Sequence, residues 1–253
     1  MSSASVSGGS SSSRSLVIIL AVVGVIALIV AVLYFHKMRH DPSNPALAER
    51  DRFLLSKGHA ALVQYAALAL AGYFRLDDAR VDRLAEHLLT RQMADGGWNC
   101  RYTGEYGGAT HGSFHTTILA LEALLEYERF RADRAQAACA AQARGREFLL
   151  IHRLFKSHRT GAVVKSELTR LAFPPQWHFD ILRGLDYFRA SGAPCDERLS
   201  DALQLVEKKR TVEGRWLLEN VYSGKTFFTM ETKGRGSRWN TLRALRVLKW
   251  AKA

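Results

Sequence analysis

The chain has 253 residues, of which 47% are hydrophobic and 24% charged; this balance excludes an intrinsically disordered protein and allows one or two folded domains. Its formal net charge is +12, but the basic residues are scattered among acidic ones and form no nucleic-acid motif, so no nucleic-acid partner is expected. Cys100, Cys139 and Cys195 are odd in number and lack metal-site spacing, which argues against a disulfide framework.

A Ser/Gly-rich tail over residues 1–15 precedes an uncharged apolar run over residues 16–35. About 20 helical residues span roughly 30 Å, the thickness of the hydrocarbon core of a bilayer, so the run predicts a single transmembrane helix. Tyr34 suits the membrane interface, and the basic residues Lys37 and Arg39 follow at once. By the positive-inside rule we expect a single-pass membrane protein with its N-terminus outside and the rest in the cytoplasm. A buried core helix is the alternative interpretation.

Residues 36–58 form the predicted linker to a domain over residues 59–253. The linker and the start of the next helix contain the pieces Asp41-Pro42-x-Asn44-Pro45, Arg50-Asp51-Arg52-Phe53 and Leu55-Ser56-Lys57-Gly58-His59-Ala60. With these pieces, residues 29–74 resemble the N-terminal part of transketolases. The resemblance implies that His59 lies near the phosphates of thiamine diphosphate. Thiamine diphosphate and Mg²⁺ are expected only under this alternative, and no cofactor is predicted otherwise.

The remainder of the chain repeats itself. Residues 80–98 align without gaps with residues 198–216, and each copy carries an apolar stripe at helical spacing followed by an acid-Gly-x-Trp turn. Residues 113–124 align in the same way with residues 237–248, and both begin with a serine, which is typical of a helix start. Helices are predicted near residues 60–71, 80–92, 113–130, 134–155, 177–191, 197–210 and 237–252.

The segments DGGWNC, FHTT, GREFLL and SRWNTLRAL carry a second resemblance. On these segments, residues 80–250 resemble bacterial proteins related to the prenyltransferase and squalene-cyclase (terpene cyclase-like) repeat superfamily. That superfamily implies helical hairpins that form an α/α toroid around a cavity. The predicted fold class is therefore all-α, with a single N-terminal transmembrane helix followed by an incomplete α/α toroid of helical hairpin repeats. The membrane or a second copy of the chain is expected to cover its open ends.

In such toroids the N-terminal ends of the inner helices face the cavity, and the resemblance assigns candidate site residues on this basis. The candidates for catalysis are His115, His178 and Asp180, and those for substrate binding are His111, Thr116, Trp177, Trp239 and Asn240. The same side chains suit helix capping and core packing, so both interpretations stay open. No metal site is predicted, because no cysteine has the neighbours of a zinc ligand set.

The leading hypothesis from the sequence is a membrane-tethered, terpene-cyclase-like helical domain that binds an isoprenoid or another lipid. Whether it is an enzyme stays open, because the Asp-x-Asp-Asp motif of class II terpene cyclases is absent. A non-catalytic helical-repeat scaffold that binds protein is one alternative, and a transketolase-like thiamine diphosphate protein or fragment is the other. Separately, the guanidinium and hydroxyl groups of residues 156–161 suit a phosphate or sulfate, unless this segment is simply a solvated loop.

Overall fold

The computed structural model describes residues 59–101, 108–222 and 228–252, with side chains from residue 64 onward. All of these residues fall within one unit of the chain, Leu55–Ala253. Seven α-helices occur in the described part, each within a few residues of a predicted one. They are α1 His59–Tyr73, α2 Ala79–Thr90, α3 Phe114–Phe130, α4 Gln136–Ile151, α5 Ile181–Ala190, α6 Ser200–Lys208 and α7 Arg238–Trp250. The predicted tail, transmembrane helix and linker lie outside the described residues.

Short polar side chains determine where three of the helices begin. Asp78, Asp180 and Ser237 precede α2, α5 and α7, and each accepts a hydrogen bond of 2.8–3.0 Å from a backbone N–H of the first turn. Such a cap satisfies an amide that the helix itself leaves without a partner. The cap at Asp180 explains why α5 begins at Ile181 and not at residue 177 as predicted.

One hydrophobic cluster connects the helices, with α1 packed on α3, α3 on α4, and α5 on α7. Helix α1 contributes Tyr65 and Leu68 to this cluster. It also approaches α3 closely, since a Cβ atom added to Gly72 would lie 2.8 Å from the backbone of Glu126. The helix at the end of the transketolase-like strip is therefore a core element of the helical domain.

Two tryptophan corners, one at Trp98 and one at Trp216, repeat the same geometry. In each, the indole N–H donates to the backbone oxygen ten residues earlier, Leu88 at 2.8 Å and Val206 at 2.6 Å. The glycine two residues before each tryptophan adopts a positive φ, 83° in the first corner and 74° in the second, which glycine adopts without strain. The internal repeat that the sequence predicts is confirmed by these matching contacts.

The predicted fold class is wrong. The described part contains a small antiparallel sheet in which β1, Trp216–Leu217, pairs with β2, Gly236–Ser237, because the chain runs extended out of the second corner and returns beside the start of α7. Strands of two residues leave no alternation that a sequence could show. None of the helices in the described ranges has the length and apolar content needed to cross a bilayer.

Candidate functional site

Three of the predicted site residues come together between the start of α3 and the turn that precedes α5. The ring of His115 lies edge-on to Trp177 at 5.4 Å and to His178 at 5.6 Å. His178 stacks between Trp177, at 3.7 Å, and Tyr222, at 3.4 Å between ring centroids. These four residues are called the histidine–aromatic cluster below. Sequence reasoning missed Tyr222, which lies in an irregular segment without a periodic pattern.

A buried arginine holds this turn in place. Arg183 of α5 donates from Nη1 to the carbonyl oxygens of Gln176 at 2.9 Å and His178 at 2.7 Å. Its Nε and Nη2 atoms form a two-pronged ion pair with Glu122 of α3, at 2.8 and 2.6 Å. Because the guanidinium group is planar and rigid, this arrangement fixes the turn relative to both helices.

His115 is a neutral hydrogen-bonding group at physiological pH. Burial, reinforced by the nearby His178 and Lys165, lowers the pKa of His115 to about 4. Its Nδ1 atom accepts a hydrogen bond from the backbone N–H of Phe179 at 2.8 Å, so the neutral ring carries its proton on Nε2. Burial, followed by Arg183, also lowers the pKa of His178. Near pH 7 both imidazoles are poorer proton acceptors than an exposed histidine.

Asp180 is buried, and both of its carboxylate oxygens accept backbone hydrogen bonds, from Arg183 at 2.8 Å and from Ala172 at 3.1 Å. Burial raises the pKa of this carboxyl group, against the opposing effect of Arg243. This geometry gives Asp180 a structural role as the cap of α5. The catalytic roles of Asp180, His115 and His178 stay predictions.

Of the other predicted site residues, His111 and Thr116 lie around the start of α3, and Trp239 and Asn240 lie at the start of α7. His111 is exposed and lies just before α3, on the same side as the histidine–aromatic cluster, whereas Thr116 is buried and accepts a backbone N–H at 3.3 Å. Trp239, at the start of α7, stacks on Phe173 at 5.0 Å. Asn240 is fully buried and donates to a backbone carbonyl at 3.1 Å. The contacts of Trp239 and Asn240 therefore lie outside the histidine–aromatic cluster.

A cleft of about 630 Å³ opens beside the first tryptophan corner. His111 and His115 line it, together with His152, His158 and Lys165. Sequence reasoning missed His152, the residue that follows α4, and Lys165, which lies in the irregular segment before a short 3₁₀ helix. Lys165 belongs to no motif, and His152 falls at the end of the helix predicted over residues 134–155, where spacing alone does not show what the side chain faces.

The segment over residues 156–161 forms a tight turn. The hydroxyl oxygens of Ser157 and Thr160 accept backbone N–H groups of the turn itself, and Lys156 pairs with Asp201 at 2.8 Å. The Lys156 ammonium group therefore already has an acidic partner within the protein. Anion binding by this segment stays a prediction.

Comparison with known proteins finds one matching family model, described as transketolase, thiamine diphosphate binding domain, over residues 21–91. The 6-deoxy-6-sulfo-D-fructose transketolase subunit SqwG of Clostridium sp. (strain MSTE9) is 55% identical over 49 residues, 19% of this chain and 18% of the relative. The chromosomal transketolase of Cupriavidus necator is 57% identical over 42 residues, 17% of this chain and 6% of the relative. The transketolase of Homo sapiens is 53% identical over 47 residues, which make up 19% of this chain and 8% of the relative. No solved structure matches.

These comparisons confirm the transketolase resemblance and correct two other predictions. The single-pass membrane location is wrong, because the family match begins at residue 21 and runs through the predicted transmembrane helix. The squalene-cyclase and terpenoid identity is also corrected, because the family that matches is transketolase and nothing found supports a prenyltransferase or cyclase. The chain matches at most 18% of the length of these relatives. The comparisons therefore identify one segment of the chain as similar to transketolases, and they do not cover the rest.

Proposed function

We propose that residues 21–91 act as a partial thiamine diphosphate-binding element of the transketolase kind. The observation that carries this proposal is the family match over these residues, which includes the Ser56-Lys57-Gly58-His59-Ala60 turn. His59 opens α1, and the free N–H groups at a helix start favour phosphate oxygens. Helix α1, which His59 opens, is packed into the helical core.

The residues of this chain do not fit the complete cofactor site. The sequence contains no Gly-Asp-Gly segment of the kind that holds the metal and the diphosphate in transketolases. Among the residues that the structure describes, no group of three or more His, Cys, Asp or Glu side chains could hold a metal ion. We therefore infer that groups outside these 253 residues would have to complete the site, and we derive no transketolase chemistry for these residues alone.

A chain of this kind has a counterpart among the relatives, since the Clostridium protein is named a transketolase subunit. The alternative of a helical scaffold that binds protein stays a prediction, as does a homo-oligomer.

The proposal is tested by titrating thiamine diphosphate with Mg²⁺ into the full chain in a calorimeter. We expect weak binding, and a loss of about tenfold or more in affinity for His59→Ala, which removes a hydrogen bond to a charged group. His87→Gln is the matched control, because His87 lies within the same matched segment but outside the Ser-Lys-Gly-His-Ala turn. Absence of heat at millimolar cofactor, or equal affinity for wild type and His59→Ala, would overturn the proposal.

A further inference from the structure

The cleft beside the first tryptophan corner has the size and the lining of a small-molecule site. It lies between the start of α3, the end of α4 and the segment that runs to Leu168, and its volume of about 630 Å³ falls in the range of roughly 300–1,000 Å³ common for ligand pockets. Its walls are mainly apolar and include Phe114, Phe148, Ile151 and Val164. Walls of this kind favour a ligand with a substantial apolar part.

The charge at the rim of the cleft is positive. Lys165 is exposed, and no ion pair or side-chain hydrogen bond holds its ammonium group within the described part of the chain. Asp95 is the one carboxylate among the described lining residues, and its two oxygens already accept the N–H groups of Gly97 at 3.0 Å and Gly112 at 2.6 Å. A ligand anion would thus meet a cation without a partner and a carboxylate that is already hydrogen-bonded.

Two histidines that line the cleft, His152 and His158, are hydrogen-bonded to each other. Nδ1 of His152 lies 2.8 Å from the carbonyl oxygen of Phe148, so this nitrogen carries the proton and Nε2 is free to accept. Nδ1 of His158 lies 3.2 Å from that Nε2 atom and donates to it. This relay leaves the lone pair of His158 Nε2 as a hydrogen-bond acceptor at the cleft, so the cation that faces an anion there is Lys165.

The start of α3 also favours an anion in the cleft. This helix has 17 residues, and its cap residue Ser113 makes no side-chain hydrogen bond to the first turn. Gly112, Ser113 and Phe114 line the cleft where this helix begins, and the first amides of a helix have no partner within the helix itself. The positive end of the helix dipole at this point favours an anion further.

We propose that the cleft binds an amphiphilic carboxylate, with the carboxylate at Lys165 and the apolar chain along Phe114, Phe148 and Ile151. This site lies outside the transketolase-like segment, so it is a function additional to the one proposed above. Charge complementarity selects the carboxylate, and the apolar walls select the chain attached to it.

The test is calorimetric titration of the full chain at pH 7.5 with decanoate, below its micelle concentration, and with decanol as a neutral probe of the same length. We expect decanoate to bind at least tenfold more tightly than decanol. Lys165→Gln should weaken decanoate binding about tenfold and leave decanol binding unchanged. Lys233→Gln, which removes an exposed lysine outside the cleft, is the matched control and should bind as wild type does.

A second variant tests the position of the apolar chain. Val164→Trp enlarges a side chain that is 43% exposed at the cleft wall and outside the core cluster, so the fold should tolerate it while the cleft is filled. We expect it to lose binding of both probes while its thermal melting matches that of wild type. Equal affinity for decanoate and decanol, or an unchanged affinity in Lys165→Gln, would overturn the proposal even if Val164→Trp failed to fold.

Discussion

The two tryptophan corners share one local design. In both, the tryptophan indole N–H donates to the backbone of the preceding helix, and the tryptophan backbone N–H donates to a threonine of the following helix, Thr117 at 2.9 Å and Thr241 at 3.1 Å. In both, a left-handed glycine reverses the chain two residues before the tryptophan. The same short pattern therefore builds the same helix–turn–helix corner twice.

The corners differ in what lies on top of them. Helix α4 covers the first, where Gln92 donates to the backbone oxygen of Ala141 at 2.8 Å and accepts from Nε of Arg144 at 2.9 Å. In the second corner Arg210 takes the place of Gln92 and lies 5.7 Å from the centre of the Trp216 ring, while Val212 is fully exposed. The first corner is thus an interior unit and the second an end unit. The local pattern therefore determines the corner itself, whereas the helix packed on top of it determines how enclosed the corner is.

The largest expected effect comes from removing the tryptophans. Both indole rings are fully buried, so Trp98→Ala and Trp216→Ala should each lower the free energy of unfolding by about 3–5 kcal/mol. The loss should be greater for Trp98, because its ring also contacts α4, where a Cβ atom on Gly145 would lie 2.8 Å from it. Urea denaturation measures both values, and Trp239→Ala, at a ring that is 40% exposed, is the control with a smaller loss. A greater loss for Trp216→Ala would refute the distinction between interior and end.

A smaller effect separates the two left-handed glycines. Gly214→Ala should lower the free energy of unfolding by about 1–2 kcal/mol, the cost of a left-handed alanine, because only the flexible Arg210 side chain lies nearby. Gly96→Ala should cost about 1–3 kcal/mol more, because the new Cβ atom would lie 2.5 Å from the backbone oxygen of Arg144. Gly234→Ala, at a φ of 79° with open space around it, isolates the backbone contribution. Equal losses at Gly96 and Gly214 would show that α4 does not press on the first corner.

A third effect is confined to acidic solution and concerns pH, since the first corner places His115 where the second has Trp239. The pKa of His115 is about 4 in the folded protein and about 6.5 in the unfolded chain, so the unfolded state binds more protons between these values. The stability that neutral His115 contributes is present above pH 6.5 and is lost as the pH falls toward 4. Unfolding free energies measured across this window should therefore fall more steeply for wild type than for His115→Gln. The exposed His111→Gln variant should keep the wild-type slope; a wild-type slope in His115→Gln would contradict the account.

Much of the fold could be predicted from the sequence, because amphipathic periodicity and the acid-Gly-x-Trp pattern are local signals. The helices and both corners follow from them. The strands at Trp216–Leu217 and Gly236–Ser237 could not be predicted, because two residues show no period and their pairing depends on residues far apart in the chain. The membrane prediction failed because an apolar run of about 20 residues satisfies the hydropathy rule whatever its context. The family match supplied that context.

The candidate site could be predicted only in part, because a helix start is a local signal whereas the convergence of several starts depends on tertiary packing. His115, Trp177 and His178 meet as neighbours, whereas Trp239 and Asn240 make their contacts elsewhere. The residues that sequence reasoning missed lie in irregular segments or at a helix end, where tertiary packing alone determines what they face. For the cleft these are His152 and Lys165, and for the histidine–aromatic cluster Tyr222.

Helix α1, which ends the transketolase-like strip, belongs to the core of the helical domain. Hydrogen–deuterium exchange of the full chain, followed by mass spectrometry, tests this directly, because amides in one cooperative unit exchange at one rate set by global unfolding. We predict that the amides of α1 exchange as slowly as those of α3, with which it packs through Leu68 and Gly72. Fast exchange throughout α1 while α3 stays protected would contradict the claim.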